Sequence, residues 1–377
     1  VFNVTWDVSA AEKGGYEHFM IKEIHEQPQV LWDTLCDRIS DNGAGVLFNE
    51  VNLTPEEIKK IKKIHITACG TAYHAGLAGK HYIERLARLP VEVEIASEFR
   101  YRQPIIEPGT LVMVISQSGE TADTLAALRE AKRLGPRVIA VTNVAGSTMS
   151  READDMIYTV AGPEVAIAST KAYTAQLMLM ALFALYLAVG RGTIGPLEMQ
   201  EIISAMKELP PKAQRVLDNT NGLKELAGEF AGRPGVFFTG RCLDYAVAME
   251  GTLKLKETTY IHAEAIATGE LRHGPMALIE DKVPIVALAT QKDLLERMVI
   301  NIQELVTRGA RAEVVAMEGF EALEKVAGRV FYIPKTHPFL APMLAVIPLQ
   351  LLAYYTAVAK GLEVDSPRNL TKSVSTE

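Results

Sequence analysis

The sequence predicts an α/β protein made of two tandem modules, each a doubly wound parallel sheet in three αβα layers. Three observations lead there. Short apolar runs alternate with helix-length segments, the rhythm of βαβ units around a mostly parallel sheet. That rhythm occurs twice, with a polar helical stretch between. Each occurrence also repeats one order: strand, glycine, helix, then Glu-hydrophobic-Arg and a proline, as in TACGTAYHAG…SEFRYRQP and FTGRCLDYA…GELRHGP. With 377 residues, 48% of them hydrophobic and 23% charged, the chain can fill two cores.

The elements follow in chain order. Residues 1–50 mix Trp6, Tyr16, Phe19 and Trp32 with charges, and 18–35 has helical spacing interrupted at Pro28, so a helical arm is expected rather than a domain with its own core. Residues 51–192 form the first module, with strands expected at 65–68, 91–96, 110–116 and 137–142 and helices near 72–88 and 120–134. Its apolar run from Tyr173 to Val189 is at the short end for a membrane span and carries Gln176, so a buried packing helix is expected. Residues 193–234 are a helical bridge broken at Pro196, Pro210, Pro211 and Pro234. The second module, 235–364, has strands expected at 236–240, 284–290, 311–317 and 329–333, and a long apolar helix at Pro342–Ala359. The tail, Asp365–Glu377, is polar and has no packing period.

Composition narrows the function classes. A net charge of -7 argues against a general nucleic-acid binder, which needs a basic surface, but permits a small anionic ligand in a locally positive pocket. The three cysteines, Cys36, Cys69 and Cys242, are far apart and form no Cys-x-x-Cys unit, which fits a reducing compartment. No basic stretch followed by an apolar run opens the chain, so a cytoplasmic protein without membrane association is expected.

Chemistry concentrates in three places. In VISQSGETADT, residues 114–124, a strand delivers Ser116, Gln117, Ser118, Gly119, Glu120 and Thr121 straight into a helix. Hydroxyls and free N–H groups then meet at a helix N-terminus, which favours an anion. A cap needs only one hydroxyl, and three are present beside a glutamine, so phosphate binding is expected. Neither a P-loop nor a Gly-x-Gly-x-x-Gly fingerprint follows a strand, which leaves a small phosphorylated molecule as ligand. Thr71, after Cys69 and Gly70 at another strand end, is placed to share that pocket, because open α/β sheets bind ligands at the carboxyl ends of their strands. Cys69 itself has no neighbouring base and reads as a buried strand-end cysteine.

The second place is residues 248–275. Glu250, Lys254 and Glu257 share one helix face, either as a solvated set of ion pairs or as acid–base machinery. The density of His262, Glu264, Glu270 and His273 just beyond favours the latter. No His-Glu-x-x-His is present and no metal is expected. The third place is the tail, where Arg368 and Lys372 bring positive charge to a non-helical segment able to lie across a pocket. A desolvated lysine can add to a carbonyl as a Schiff base.

These motifs together resemble the sugar-phosphate isomerase (SIS) half of the bacterial glutamine–fructose-6-phosphate aminotransferases, or glucosamine-6-phosphate synthases. The resemblance spans essentially the whole chain: ACGTAYHAG at 68–76, EIASEFRYR at 94–102, SQSGETADT at 116–124, ASTKAYTAQ at 168–176, EGTLKLKE at 250–257, YIHAEAIATGELRHGP at 260–275 and DSPRNLTKSVSTE at 365–377. It implies a pair of flavodoxin-like SIS domains and no cofactor. It implies a phosphate loop of Ser116, Gln117, Ser118 and Thr121 with help from Thr71, and sugar contacts at Ile167 and Ser169. Ala72 stands where some members have serine, which removes one hydroxyl contact. The isomerising base falls on Glu257, the ring-opening histidine on His273 and the Schiff-base lysine on Lys372, with Lys254, Glu250 and Arg368 around the sugar. The implied substrate is fructose 6-phosphate, carried toward glucosamine 6-phosphate in the full enzyme and toward glucose 6-phosphate in the isolated half. The implied partners are a second copy of the chain, presenting His273 across a dimer, and an N-terminal glutamine amidohydrolase domain. A chain starting at Val1 without that domain is expected not to hydrolyse glutamine. A fructosamine-6-phosphate deglycase and a non-catalytic phosphosugar sensor are the rival classes that share these motifs.

Overall fold

The structure is a computed structural model describing residues 12–40, 43 and 45–374, so Trp6 and the last three tail residues lie outside the described residues. Two five-stranded sheets, parallel throughout, form the two halves. The first consists of β1 (Lys63–Ala68), β2 (Val91–Ile95), β3 (Thr110–Ile115), β4 (Arg137–Thr142) and β5 (Asp155–Tyr158), in spatial order β2-β1-β3-β4-β5. The second consists of β6 (Gly235–Gly240), β7 (His262–Ala267), β8 (Pro284–Ala289), β9 (Arg311–Met317) and β10 (Arg329–Ile333), in order β7-β6-β8-β9-β10. The duplication seen in sequence is therefore a duplication of topology.

Strands covered by helices on both faces read as unbroken apolar runs, and TLVMVI and PIVALA are buried at every position. Two strands escape sequence patterning, β5 and β7, and both are sheet edges. In β7 the polar residues alternate outward, which places His262 and Glu264 on the exposed face.

The helices supply the outer layers. In the first half these are α3 (Pro55–Lys60), α4 (Gly70–Leu86), α5 (Ala96–Tyr101), α6 (Ala122–Leu134), α7 (Thr148–Glu152) and α8 (Lys171–Arg191). Helices α9 (Pro196–Lys207), α10 (Leu209–Asp218) and α11 (Leu223–Ala231) connect to α12 (Leu243–Thr259), α13 (Leu295–Thr307) and α14 (Ala341–Ala359). Pro196, Pro210 and Pro211 all sit in first turns, where a missing N–H costs nothing. By length and composition α8 and the segment ending in α14 are apolar enough to cross a membrane, but both are almost wholly buried inside the molecule as its central packing helices. The arm, α1 (Phe19–His25) and α2 (Gln27–Cys36), adds Met20, Ile24, Leu31 and Leu35 to the same core against α8, α10 and α14.

Two packing features position the site. Helices α4 and α12 pack against each other across the junction of the two halves. The tail leaves α14 and returns to the first half, where the Asp365 carboxylate accepts the backbone N–H groups of Phe19 and Met20 at the start of α1. Its end is held when Ser373 bonds Ser118 at 3.2 Å and Ala122 N–H donates to the carbonyl of Val374 at 2.9 Å.

Candidate active site

In the order β2-β1-β3-β4-β5 the chain reverses direction of winding between β1 and β3, and the loops leaving those two strands diverge. The crevice they open holds about 230 Å³ and is lined by Thr71 from the β1 turn, Ser116, Gln117, Ser118 and Thr121 from the β3 turn, Ile167 and Ser169, Glu257 from α12, and Leu370–Val374 of the tail. Of the thirteen residues singled out above, nine meet here: Thr71, Ser116, Gln117, Ser118, Thr121, Ile167, Ser169, Glu257 and Lys372.

The hydroxyl loop is not spent on capping. Thr121 is the N-cap of α6 but makes no side-chain cap bond; its hydroxyl instead pairs with Ser116 Oγ at 3.0 Å. Ser118 Oγ accepts Glu120 N–H and Ser116 Oγ accepts Gly119 N–H, each at 3.2 Å, so the loop is folded by its own serines. Gly119 is required from behind. Its φ is +66°, and a Cβ there would lie 2.7 Å from Ser147 Cβ.

Glu250, Lys254 and Glu257 do share a face, and it is buried. Lys254 and Glu250 are 0% exposed. Lys254 Nζ lies 2.6 Å from Glu257 Oε2 and 3.4 Å from Glu250 Oε1, and it donates to Thr71 Oγ1 at 3.1 Å. Thr71 donates in turn to Glu250 Oε1, whose other oxygen pairs with His74 Nδ1 at 2.7 Å. Burial alone would strip the proton from Lys254, but the Glu257 and Glu250 charges outweigh it and hold the ammonium well above its ordinary pKa. Removing one partner from such a buried set leaves a charge uncompensated, at a cost of about 3–5 kcal/mol. Lys254 and Glu250 thus lie beneath the crevice, and their charge reaches it through Thr71 and Glu257.

Lys372 has a specific partner that sequence patterning did not reveal. Its Nζ donates to Glu164 Oε2 at 2.7 Å and to the Ala166 carbonyl at 2.6 Å. Glu164 Oε1 accepts the N–H groups of Thr170 and Ala172 at the start of α8. Burial pushes this carboxyl up, yet Lys372 and those N–H groups overcome it and hold it below the usual carboxylate range. An acidic residue just before a long helix was the available signal. His74, one helical turn after Gly70, was also overlooked.

Two predicted residues lie apart from the crevice. Arg368 is exposed; its guanidinium stacks 4.1 Å from the Tyr260 ring and its backbone N–H donates to the Tyr260 hydroxyl. His273 ends an exposed 3-10 turn, Glu270–His273, beyond the edge strand β7. Cys69 lines the crevice, and burial raises its thiol, the opposite of what a nucleophile needs. Among the described residues only His65, Glu92 and Glu94 are close enough to share a metal ion. They lie along β1 and β2, and Lys63 and Arg102 already pair with the two carboxylates.

Comparison with known proteins agrees with this architecture. The SIS domain family matches residues 57–186 and 229–360. The glutamine–fructose-6-phosphate aminotransferases (isomerizing) of Clostridium tetani and Caldanaerobacter subterraneus subsp. tengcongensis are 56% and 58% identical over all 377 residues, and the chain spans 62% of the length of each. A solved structure, the C-terminal domain of glucosamine-fructose-6-phosphate aminotransferase from Francisella tularensis, is 38% identical with a TM-score of 0.89, over 94% of this chain and 100% of that one. The chain belongs to the SIS domain family, as a tandem pair of the kind that forms the C-terminal domain of glucosamine-fructose-6-phosphate aminotransferase.

Proposed function

We propose that this chain binds fructose 6-phosphate and performs the ketose–aldose isomerisation of a glutamine–fructose-6-phosphate aminotransferase. The observation that carries this is the meeting of a lysine, a glutamate and a hydroxyl-rich loop in one crevice, although they lie as far apart in sequence as Thr71 and Lys372. The loop formed by Ser116, Gln117, Ser118 and Thr121 takes the phosphate at the N-terminus of α6, with Thr71 beside it. Phosphate binding far from the reacting carbons then orients the sugar. Ile167 and Ser169 complete the sugar's surroundings in the crevice, with Glu250 oriented beneath it through Thr71 and Arg368 bringing positive charge from the tail.

The reaction follows from the remaining groups. His273 carries a proton from the C2 hydroxyl to the ring oxygen, which opens the ring. The Lys372 nitrogen attacks C2, and two of the ammonium's protons leave with the C2 oxygen as water, giving a protonated imine. Ammonia displaces the lysine in the full-length protein. Glu257 then takes the C1 proton as the imine nitrogen gains one, forming an enolamine, and returns it to C2 as the O1 hydroxyl gives up its proton, leaving the 2-amino aldose. Without ammonia the same C1-to-C2 transfer on the open ketose gives glucose 6-phosphate. Lys254, beside Glu257, stabilises the oxygen that gains charge as the C1 proton leaves.

The exposed position of His273, outside its own chain's crevice, supports a homodimer in which each subunit presents this residue to its neighbour. A glutamine amidohydrolase domain supplies the ammonia, and the setting is cytoplasmic. We divide the chain into an arm (1–50), a first SIS domain (51–192), a bridge (193–234), a second SIS domain (235–364) and a catalytic tail (365–377). The test is borohydride reduction in the presence of fructose 6-phosphate. The unmodified chain forms a stable adduct at Lys372 and Lys372→Ala forms none; an adduct of equal yield in the variant removes the tail lysine from the mechanism.

A further inference from the structure

Glu23 takes no part in the chemistry above, yet it touches the turn that holds Lys372. It lies in α1 and is 2% exposed. Its Oε1 accepts the backbone N–H groups of Val165 and Ala166, the two residues after Glu164. Its Oε2 is buried without a hydrogen-bond partner. The same turn provides both acceptors for Lys372, the Glu164 carboxylate and the Ala166 carbonyl. One residue on, Ile167 N–H donates to the carbonyl of Asp365, whose carboxylate receives the first N–H groups of α1. Arm, turn and tail close a ring of contacts, with Glu23 on one side and the amine on the other.

We propose that Glu23 is a positioning residue for Lys372: it fixes the 164–166 turn, and the turn holds the amine at the crevice. The proposal rests on the reading of Lys372 as the imine-forming amine. Its neighbours on the same helix, Met20 and Ile24, are 0% exposed and apolar, so a carboxyl at this depth needs a reason beyond packing. The Ala166 N–H is that reason, since it would otherwise be a buried donor without an acceptor, and the Val165 N–H is held by the same oxygen.

Charge points the same way. Glu23 and Glu164 share one cation, Lys372, and the cation sits on Glu164. Burial, then the neighbouring Glu164 charge, raises the Glu23 carboxyl to about 8. A neutral Glu23 accepts both N–H groups without placing a second anion beside the amine. Glu164 remains the one carboxylate paired with the amine. A glutamine, neutral and of the same length, therefore substitutes for Glu23, whereas an aspartate is too short to reach the turn.

The test compares the unmodified chain with Glu23→Gln, Glu23→Asp and Glu23→Ala. Isomerisation kinetics, borohydride trapping at Lys372 and hydrogen exchange of the Val165 and Ala166 amides are measured on each. The Ala and Asp variants lose about 10–100-fold in kcat and trapping rate with KM changed less than about threefold, because the phosphate loop is untouched. Their two amides exchange faster. The Gln variant recovers kcat to within about threefold of the unmodified chain and restores amide protection. Equal losses in the Gln and Ala variants overturn the proposal, as does an unchanged kcat in Glu23→Asp. If Glu23→Ala does not fold, the Asp and Gln variants decide. An unmodified chain that binds fructose 6-phosphate yet traps no adduct overturns the Lys372 reading and this inference together. Normal trapping without the variant pattern overturns Glu23 alone.

Discussion

The crevice at the carboxyl ends of β1 and β3 has a counterpart at β6 and β8, built on the same strand order, and the two treat their hydroxyls differently. In the first, Ser116, Ser118 and Thr121 bond one another and the tail, and the start of α6 carries no side-chain cap. In the second, Thr290 directly after β8 donates both its N–H and its hydroxyl to Asp244, which is buried in the first turn of α12. The nearby cavity, about 480 Å³, is lined by side chains of both charges, including Glu84, Arg85, Arg88, Lys292 and Asp293, not by a ring of hydroxyls. The second half instead directs Glu257 of α12 into the first half's crevice. The two copies thus differ in what they bring to one crevice: the first brings the hydroxyl loop, and the second brings Glu257 on a long helix.

The sharpest way to break this comparison is Glu257→Gln. If α12 serves the first half's crevice, isomerisation of fructose 6-phosphate falls by about 10²–10⁴-fold while phosphosugar binding, followed by calorimetry, persists. A sensor would show no turnover in either protein, and a variant with full turnover would remove the second half from the chemistry. Next is Gly119→Ala, whose methyl group would meet Ser147 in a left-handed backbone conformation. A loss of about 2–4 kcal/mol in denaturant stability, with weaker phosphosugar binding, is expected. Unchanged unfolding midpoints would mean that the loop does not need this conformation.

The Asp244 clamp gives a pH signature belonging to the second half. Burial raises this carboxyl from 3.8 to about 6, so the folded chain binds its proton more tightly than the unfolded chain does. Stability contributed at this site is therefore fullest below pH 3.8 and declines as pH rises through 6, by on the order of 2–3 kcal/mol. Asp244→Asn flattens that decline relative to the unmodified chain without lowering turnover; parallel stability–pH curves would sink the assignment.

The smallest effect concerns one backbone position in both copies. Gly70 and Cys242 each lie two residues past their strand, at the same φ of +53°. Only the first has the residue that tolerates it. Cys242→Gly relieves the strain but adds unfolded-state entropy, for a net gain of about 0.5–1 kcal/mol by urea unfolding. A loss of stability would show that the cysteine side chain does more in packing than its backbone costs.

Much of this was legible in advance because it is local. The apolar runs at 110–115 and 284–289 announce strands covered on both faces, and residues 116–121 announce a polar turn entering a helix. The strands β5 and β7 were not legible, since β5 has only four residues and exposed His262 and Glu264 interrupt the apolar run of β7. His262 and Glu264 looked functional by proximity and instead face outward on β7. The depth of Glu250 and Lys254, buried beneath the crevice because α12 packs on α4, could not be read from their spacing along one helix. Glu23 carried no motif and Glu164 only its place before a long helix; the tail that pairs with Glu164 arrives 208 residues later.

By itself, then, the sequence determined the parallel α/β class, the duplication, the hydroxyl loop and the shared face of Glu250, Lys254 and Glu257. Each of these follows from hydrophobic period and from spacing along one element. Only the tertiary structure decided that Asp244 holds Thr290 in the second half, that Lys372 meets Glu164, and that Glu23 of the N-terminal arm accepts the N–H groups of the turn beside them. Such pairings join residues from distant parts of the chain. They are set by which faces pack together, and no local period encodes that.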